Sequence, residues 1–149
     1  MDTIFTDEKD ERFLKLVCEL DRGYYDLIGD ELSKYDSYNE FNDPHVVILA
    51  LDNDIAVACA SYRTFDDDSV EFKRVYVKKE YRKRGIAYNI ITELEKIVIE
   101  NRFRYSYIIT GKNNNAAIKL YEKLNYKLID NFGQFINDDT VICMKKEFK

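Results

Sequence analysis

Apolar positions along the chain fall into two periodicities. Phe13, Leu16, Val17 and Leu20 recur at the spacing of one helix face after a polar start at Thr6-Asp7, and Gly23 is the expected stop. Residues 24–35 read as a second, weaker helix, whose tyrosines fit a core or the lining of a groove. Ala87, Ile90, Ile91, Leu94, Ile97 and Val98 form the clearest helical stripe in the chain. Ala117, Leu120, Tyr121 and Leu124 mark a fourth helix. Extended runs lie at 4–5, 46–50, 55–64, 70–77, 105–110, 128–129 and 140–148. Asp52-Asn53-Asp54 and Asp66-Asp67-Asp68 read as hairpin turns. Consecutive hairpin strands, then strand–helix–strand–helix–strand, predict an α/β (α+β) fold. Its sheet is mixed and mostly antiparallel, with six to seven strands flanked by about four helices.

The run 70–77 breaks its own alternation. Val70 and Phe72 are apolar at even positions, Val75 and Val77 at odd ones. A change of parity is a slip of one residue, which predicts a bulge near Lys73-Arg74 in a central strand. A plain strand buried on both faces gives a similar pattern.

Composition narrows the classes. A chain of 149 residues matches about one domain, and a single proline with five glycines gives no linker, so one domain over 1–149 is expected. The net charge of −5 argues against a general nucleic-acid binder. No apolar run approaches the ~20 residues of a membrane span, so no membrane partner is expected. Met1-Asp2-Thr3 lacks the basic and apolar regions of an export signal. Cys18, Cys59 and Cys143 fit no zinc or redox spacing and read as buried, reduced thiols in a cytoplasmic protein. The one histidine, His45, opens an apolar run and reads as a strand-end residue, so no metal site is expected.

The local charge pattern is more informative than the net charge. Residues 71–84 hold seven bases (Lys73, Arg74, Lys78, Lys79, Arg82, Lys83, Arg84) and two acids (Glu71, Glu80), a net of 7 − 2 = +5. The rest of the chain carries (23 − 7) − (28 − 2) = −10. Bases just before a helix oppose its dipole, so the cluster fits either a solvated turn or a bound polyphosphate. Gly85 would let the backbone approach an anion, and Ala87 keeps the first turn small. Gly111-Lys112-Asn113 lacks the first glycine and the hydroxyl of a Walker loop, and a lone Gly85 is no dinucleotide fingerprint.

The stretch Arg82-Lys83-Arg84-Gly85-Ile86-Ala87 resembles the acyl-CoA motif [QR]-x-x-G-x-[GA] of the GNAT N-acetyltransferases. Asn114-Asn-Ala-Ala-Ile-Lys-Leu-Tyr-Glu-Lys-Leu-Asn-Tyr126 resembles a second family segment, N-x-x-A-I-x-L-Y-E-K-x-G-[FY], in the same order and spacing. The strand from Glu71 to Val77 is similar to the family's "ElkRmyV" strand. Asn125 stands where the family commonly has glycine, a position that needs a left-handed residue. Ile129-Asp-Asn-Phe-Gly-Gln-Phe135 and Val141-Ile-Cys-Met-Lys-Lys146 resemble a bacterial branch of the family, which names no substrate.

The resemblance implies acetyl transfer from acetyl-CoA to a primary amine of a small molecule, amino acid or peptide, by direct transfer in a ternary complex. It places the pyrophosphate on the backbone of Arg84, Gly85, Ile86 and Ala87, with Arg82 and Lys83 nearby. It pairs the pantetheine with the backbone of Val75, Tyr76 and Val77. Glu71 is the expected base, acting directly or through water, and an ion pair with Lys73 is its competing role. Tyr121 matches the family's general acid, with core packing as its competing role. Asn114 matches a cofactor-contacting asparagine and also fits a helix cap. Specificity is expected from Tyr24, Tyr25, Tyr35, Tyr38 and the 132–139 loop. The family also contains homodimers. A non-catalytic acyl-CoA sensor is the alternative, and it would need neither Glu71 nor Tyr121.

Overall fold

The computed structural model describes residues 1–28 and 43–148, and the side chains among them except those of 23–28. Seven strands form one sheet: β1 (Asp2–Asp7), β2 (Val46–Asp52), β3 (Ile55–Asp66), β4 (Ser69–Val77), β5 (Tyr105–Gly111), β6 (Lys127–Ile129) and β7 (Val141–Glu147). Their spatial order is β1-β2-β3-β4-β5-β7-β6. All neighbours are antiparallel except β4 and β5, which run parallel from Ser69 opposite Tyr105 to Phe72 opposite Ile108. Three helices accompany them among the described residues: α1 (Glu11–Ile28), α2 (Ile86–Glu100) and α3 (Asn115–Lys123).

Local chemistry explains the connections. Asn53 and Asp54 both take positive φ, 50° and 69°, between the paired Asp52 and Ile55. Two left-handed residues make the turn whose twist matches that of the strands it joins. Both sheet faces are covered. Phe13, Leu16 and Val17 of α1 pack on Val47, Leu49 and Cys59. On the other face Ile90, Ile91, Leu94 and Val98 of α2 join Ile48, Ala60, Phe72 and Ile108, with Tyr121 and Leu124 beside them. Glu95 of α2 is also buried there. Lys146 Nζ lies 3.0 Å from both of its oxygens, and the Tyr126 hydroxyl lies between Glu95 (3.3 Å) and Ser106 (2.7 Å). A buried carboxylate needs such partners, and here they tie α2 to β5 and β7.

Four expectations change. The stop at Gly23 does not occur: α1 runs through it to Ile28. Glycine costs only about 1 kcal/mol in a helix interior, and the packed Phe13–Leu16–Val17 face outweighs it. Of the expected second helix, residues 24–28 are part of α1 and residues 29–35 lie outside the described residues. Cys18 is exposed, because its position on α1 faces away from the sheet, while Cys59 and Cys143 are buried. Thr6 and Asp7 belong to β1, and Asp10 begins α1 instead, its Oδ1 accepting the Arg12 N–H at 2.9 Å.

α3 ends as its sequence requires. Asn125 has φ 72°, the Tyr126 N–H donates to Tyr121 O at 2.9 Å, and the Asn125 N–H donates to Glu122 O at 3.0 Å. This is the paired closure that a left-handed residue makes past a helix end. Asn125→Ala is expected to cost about 1 kcal/mol, and Asn125→Gly to cost nothing or stabilise slightly. Urea unfolding midpoints of the two variants check this.

Candidate active site

The expected bulge lies in β4. Ser61 pairs with Lys73 and Cys59 with Tyr76, so β4 spends one more residue than β3 across this step. Arg74 takes φ 57°, the left-handed conformation that absorbs the extra residue. Side chains of β3 satisfy the carbonyls there: Ser61 Oγ donates to Lys73 O at 2.8 Å and Cys59 Sγ to Arg74 O at 3.3 Å. Burial pushes the Cys59 thiol up to about 12, which keeps it a donor. The Arg74 guanidinium pairs with Asp21 of α1, and the Tyr76 hydroxyl donates to Glu19 at 3.2 Å. The bulge is therefore pinned from both α1 and β3.

Beyond the bulge β4 leaves β5. Their pairing stops at Phe72 and Ile108, and a cleft of about 110 Å³ opens between them. Glu71, Lys73, Arg74 and Val75 line one side, and Ile109, Thr110, Asn114, Ala117 and Tyr121 the other. The structure thus brings Glu71, Val75, Asn114 and Tyr121 to one cleft, as the sequence implied. Tyr76 and Val77 continue the same strand toward the basic turn.

Glu71 is 1% exposed. Burial raises its carboxyl to about 7, and the Lys73 ammonium opposes the rise. The same burial lowers Lys73 to about 8, against the pull of Glu71. The hydrogen-bonded partner of Glu71 is Arg63 of β3, whose Nε and Nη2 lie 3.0 and 2.9 Å from Oε1. Arg63 also lies 3.2 Å from Asp43. Both guanidinium contacts oppose the rise as well. His45 sits buried at the end of β2, with Nδ1 3.4 Å from Ser61 Oγ, and burial lowers it to about 4, so it is neutral at pH 7. Next to Glu71 the rings of Phe65, Tyr107 and Phe132 meet at 5.1–5.6 Å, which seats the start of the 132–139 loop on the sheet.

Arg63 and Asp43 were not legible as site residues. A plain two-residue turn at Asp67-Asp68 would set Thr64 opposite Glu71. The register shift between Thr64 and Asp66 brings Arg63 there instead. The signal available was Arg63 as the one basic residue of β3.

Tyr121 is 6% exposed and lines the cleft, with its ring edge-to-face on Tyr126 at 6.1 Å. Asn114 caps α3, its Oδ1 accepting the Ala117 N–H at 3.3 Å. The basic turn leads from β4 into α2. Lys83 and Gly85 have φ 65° and 76° and flank Arg84. Arg82 Nε donates to Val77 O at 2.9 Å and Arg84 Nη2 to Glu80 O at 3.1 Å, so these side chains brace the turn. The first bond into α2 is from Asn89 N–H to Gly85 O, at 3.1 Å. The N–H groups of Ile86, Ala87 and Tyr88 therefore have no acceptor within the helix, which favours an anion there. The Gly85 Cβ position is open, so conformation rather than space demands glycine. Gly85→Val is expected to weaken acetyl-CoA binding about tenfold by displacing these N–H groups, and calorimetry measures it.

A mixed sheet parted by a bulge, with a left-handed glycine leading the following helix, is the arrangement that the sequence resemblance implies. The family model described as "Acetyltransferase (GNAT) family" matches residues 11–126, and the chain belongs to this family. An acetyltransferase of Pectobacterium atrosepticum is 37% identical over 54 residues, 36% of this chain and 38% of that protein. The curated relatives it matches are covered over only 38% to 48% of their own length. A proposed acyl-CoA N-acyltransferase from Klebsiella pneumoniae superposes with a TM-score of 0.81 at 20% identity, over 97% of both chains. The PaiA N-acetyltransferase from Thermoplasma acidophilum, in complex with coenzyme A, superposes with a TM-score of 0.76 at 16% identity, over 99% of this chain and 100% of that one. Among the described residues no helix is long and apolar enough to cross a membrane.

Proposed function

We propose that residues 1–149 form one N-acetyltransferase domain that moves an acetyl group from acetyl-CoA to a primary amine. The parting of β4 from β5 past Phe72 and Ile108, between Glu71 and Tyr121, carries this reading. Coenzyme A in the Thermoplasma relative adds support for the co-substrate.

The residues fit acetyl-CoA. The N–H groups of Gly85, Ile86 and Ala87 receive the pyrophosphate, with Arg82, Lys83 and Arg84 around it. The edge of β4 past Phe72, at Val75, Tyr76 and Val77, receives the pantetheine as an added strand. Asn114 caps α3 and borders the same channel. Acetyl-CoA supplies a thioester carbonyl for the amine to attack.

An alkyl ammonium cannot attack, so Glu71 takes its proton, directly or through water. A backbone N–H near Tyr76 or Val77 meets the charge that develops on the carbonyl oxygen. Tyr121 donates its hydroxyl to the departing thiolate. A phenol of pKa ~10 is a weak acid toward a thiolate of ~8.5, so a strong hydrogen bond serves as well as transfer.

Thiol release from acetyl-CoA across polyamines, amino acids, aminoglycosides and short peptides tests the proposal, with calorimetry of acetyl-CoA alongside. Binding with one amine turned over is expected. Binding without turnover of any amine moves the reading to an acyl-CoA sensor. No binding ends it.

A further inference from the structure

The carboxylate assigned as base is held by a residue that the mechanism above does not use. Two donors of Arg63 converge on Oε1 of Glu71, at 2.9 and 3.0 Å. An ordinary forked pair would engage both carboxylate oxygens. Among the described residues Oε2 accepts no hydrogen bond, and Glu71 lines the cleft. Arg63 is itself fixed, because Nη1 reaches Asp43 at 3.2 Å. Asp43 lies 3.6 Å from His45 Nε2, His45 meets Ser61, and Ser61 bonds Lys73 O. These contacts form a polar chain along the β3–β4 ladder.

We propose that Arg63 is a positioning residue: by occupying Oε1 it keeps Glu71 in its basic form and leaves Oε2 for the amine. This rests on the reading of Glu71 as base. Arg63 is the cation in direct contact with Glu71. Lys73 on β4 acts on it through space, and beyond it Arg74 is neutralised by Asp21 of α1. Tyr107 of β5 lies opposite Glu71 in register and carries Lys145 of β7 over its ring, at 5.2 Å. The Cys143 thiol of β7 feels the Glu71 charge, and Tyr121 of α3 shares the cleft. Tyr107, Tyr121 and the thiol carry no positive charge, so none can replace the guanidinium.

The test is a carbon-13 titration of the Glu71 carboxyl, assigned as the resonance missing from Glu71→Gln. In Arg63→Gln its midpoint is expected about one pH unit or more higher, and in Arg63→Lys most of that rise is reversed. The acidic limb of kcat/KM, read by thiol release with an amine the enzyme turns over, is expected to move by the same amount. Turnover at pH 6.5 then falls about tenfold in Arg63→Gln and recovers at high pH. A purely structural role lowers the rate at every pH and leaves the limb in place. An unmoved titration midpoint overturns the proposal for Arg63. A moved midpoint with an unmoved limb removes Glu71 as the base, and the role of Arg63 with it.

Discussion

Glu71→Gln is expected to lower kcat by about 10²- to 10³-fold and to leave acetyl-CoA affinity within about twofold. The amide keeps the shape of the carboxylate and most of its packing, but it cannot take a proton. Glu71 lies at the mouth of the parted strands, away from the helix end assigned to the phosphates, so co-substrate binding has little reason to change. The pH profile gives the sharper signature. Burial raises the carboxyl to about 7, and the proposed mechanism uses its basic form. kcat/KM therefore rises with pH through that region and levels above it, and in Glu71→Gln this limb disappears. Equal losses of turnover and acetyl-CoA binding would reduce Glu71 to a partner of Arg63 and Lys73. Steady-state kinetics between pH 6 and 9 separate the two cases.

Tyr121→Phe is expected to lower kcat by about tenfold to 100-fold, the worth of one hydrogen bond to a charged group. Phenylalanine retains the ring that packs on Tyr126 at 6.1 Å, so the fold and the α3 closure remain. The loss should be largest with acetyl-CoA and smaller with an activated acyl thioester, whose leaving thiolate is already stable and needs less help from a donor. Turnover unchanged by the substitution would confine Tyr121 to the core.

The bulge and the helix after the basic turn could be read from the chain because each leaves a local trace, whereas Glu71 and Tyr121 came from the family resemblance. Val70 and Phe72 against Val75 and Val77 betray the slip, and the structure absorbs it at Arg74. Ile90, Ile91 and Leu94 give α2 its face. Asn125 keeps the left-handed conformation expected past the end of α3. What escaped was long-range. Arg63 faces Glu71 only because of a register shift between Thr64 and Asp66, which no turn residue announces. Gly23 misled because a local helix weakness is overridden by burial of residues on either side of the sheet contact. The tyrosines 24, 25, 35 and 38, expected to shape specificity, lie outside the side chains described.

The parallel ladder from Ser69 to Phe72 is the seam of the sheet. On one side β1 to β4 form a meander of neighbours in sequence; on the other β5, β7 and β6 form a second antiparallel unit. Within the sheet these pairs of β4 with β5 join the two units, and the whole of α2 lies between the two strands in sequence. The β2–β3 and β3–β4 hairpins close short loops and can form early. The seam closes later than these hairpins, since it joins strands separated by the whole of α2. The cleft does not exist until that step, for one wall belongs to each unit. A chain arrested before it would hold most of its hydrogen bonds and yet have no cleft for a ligand to enter. Occupancy of the cleft then acts as a clasp, favouring the joined sheet over any form in which the units have drifted apart.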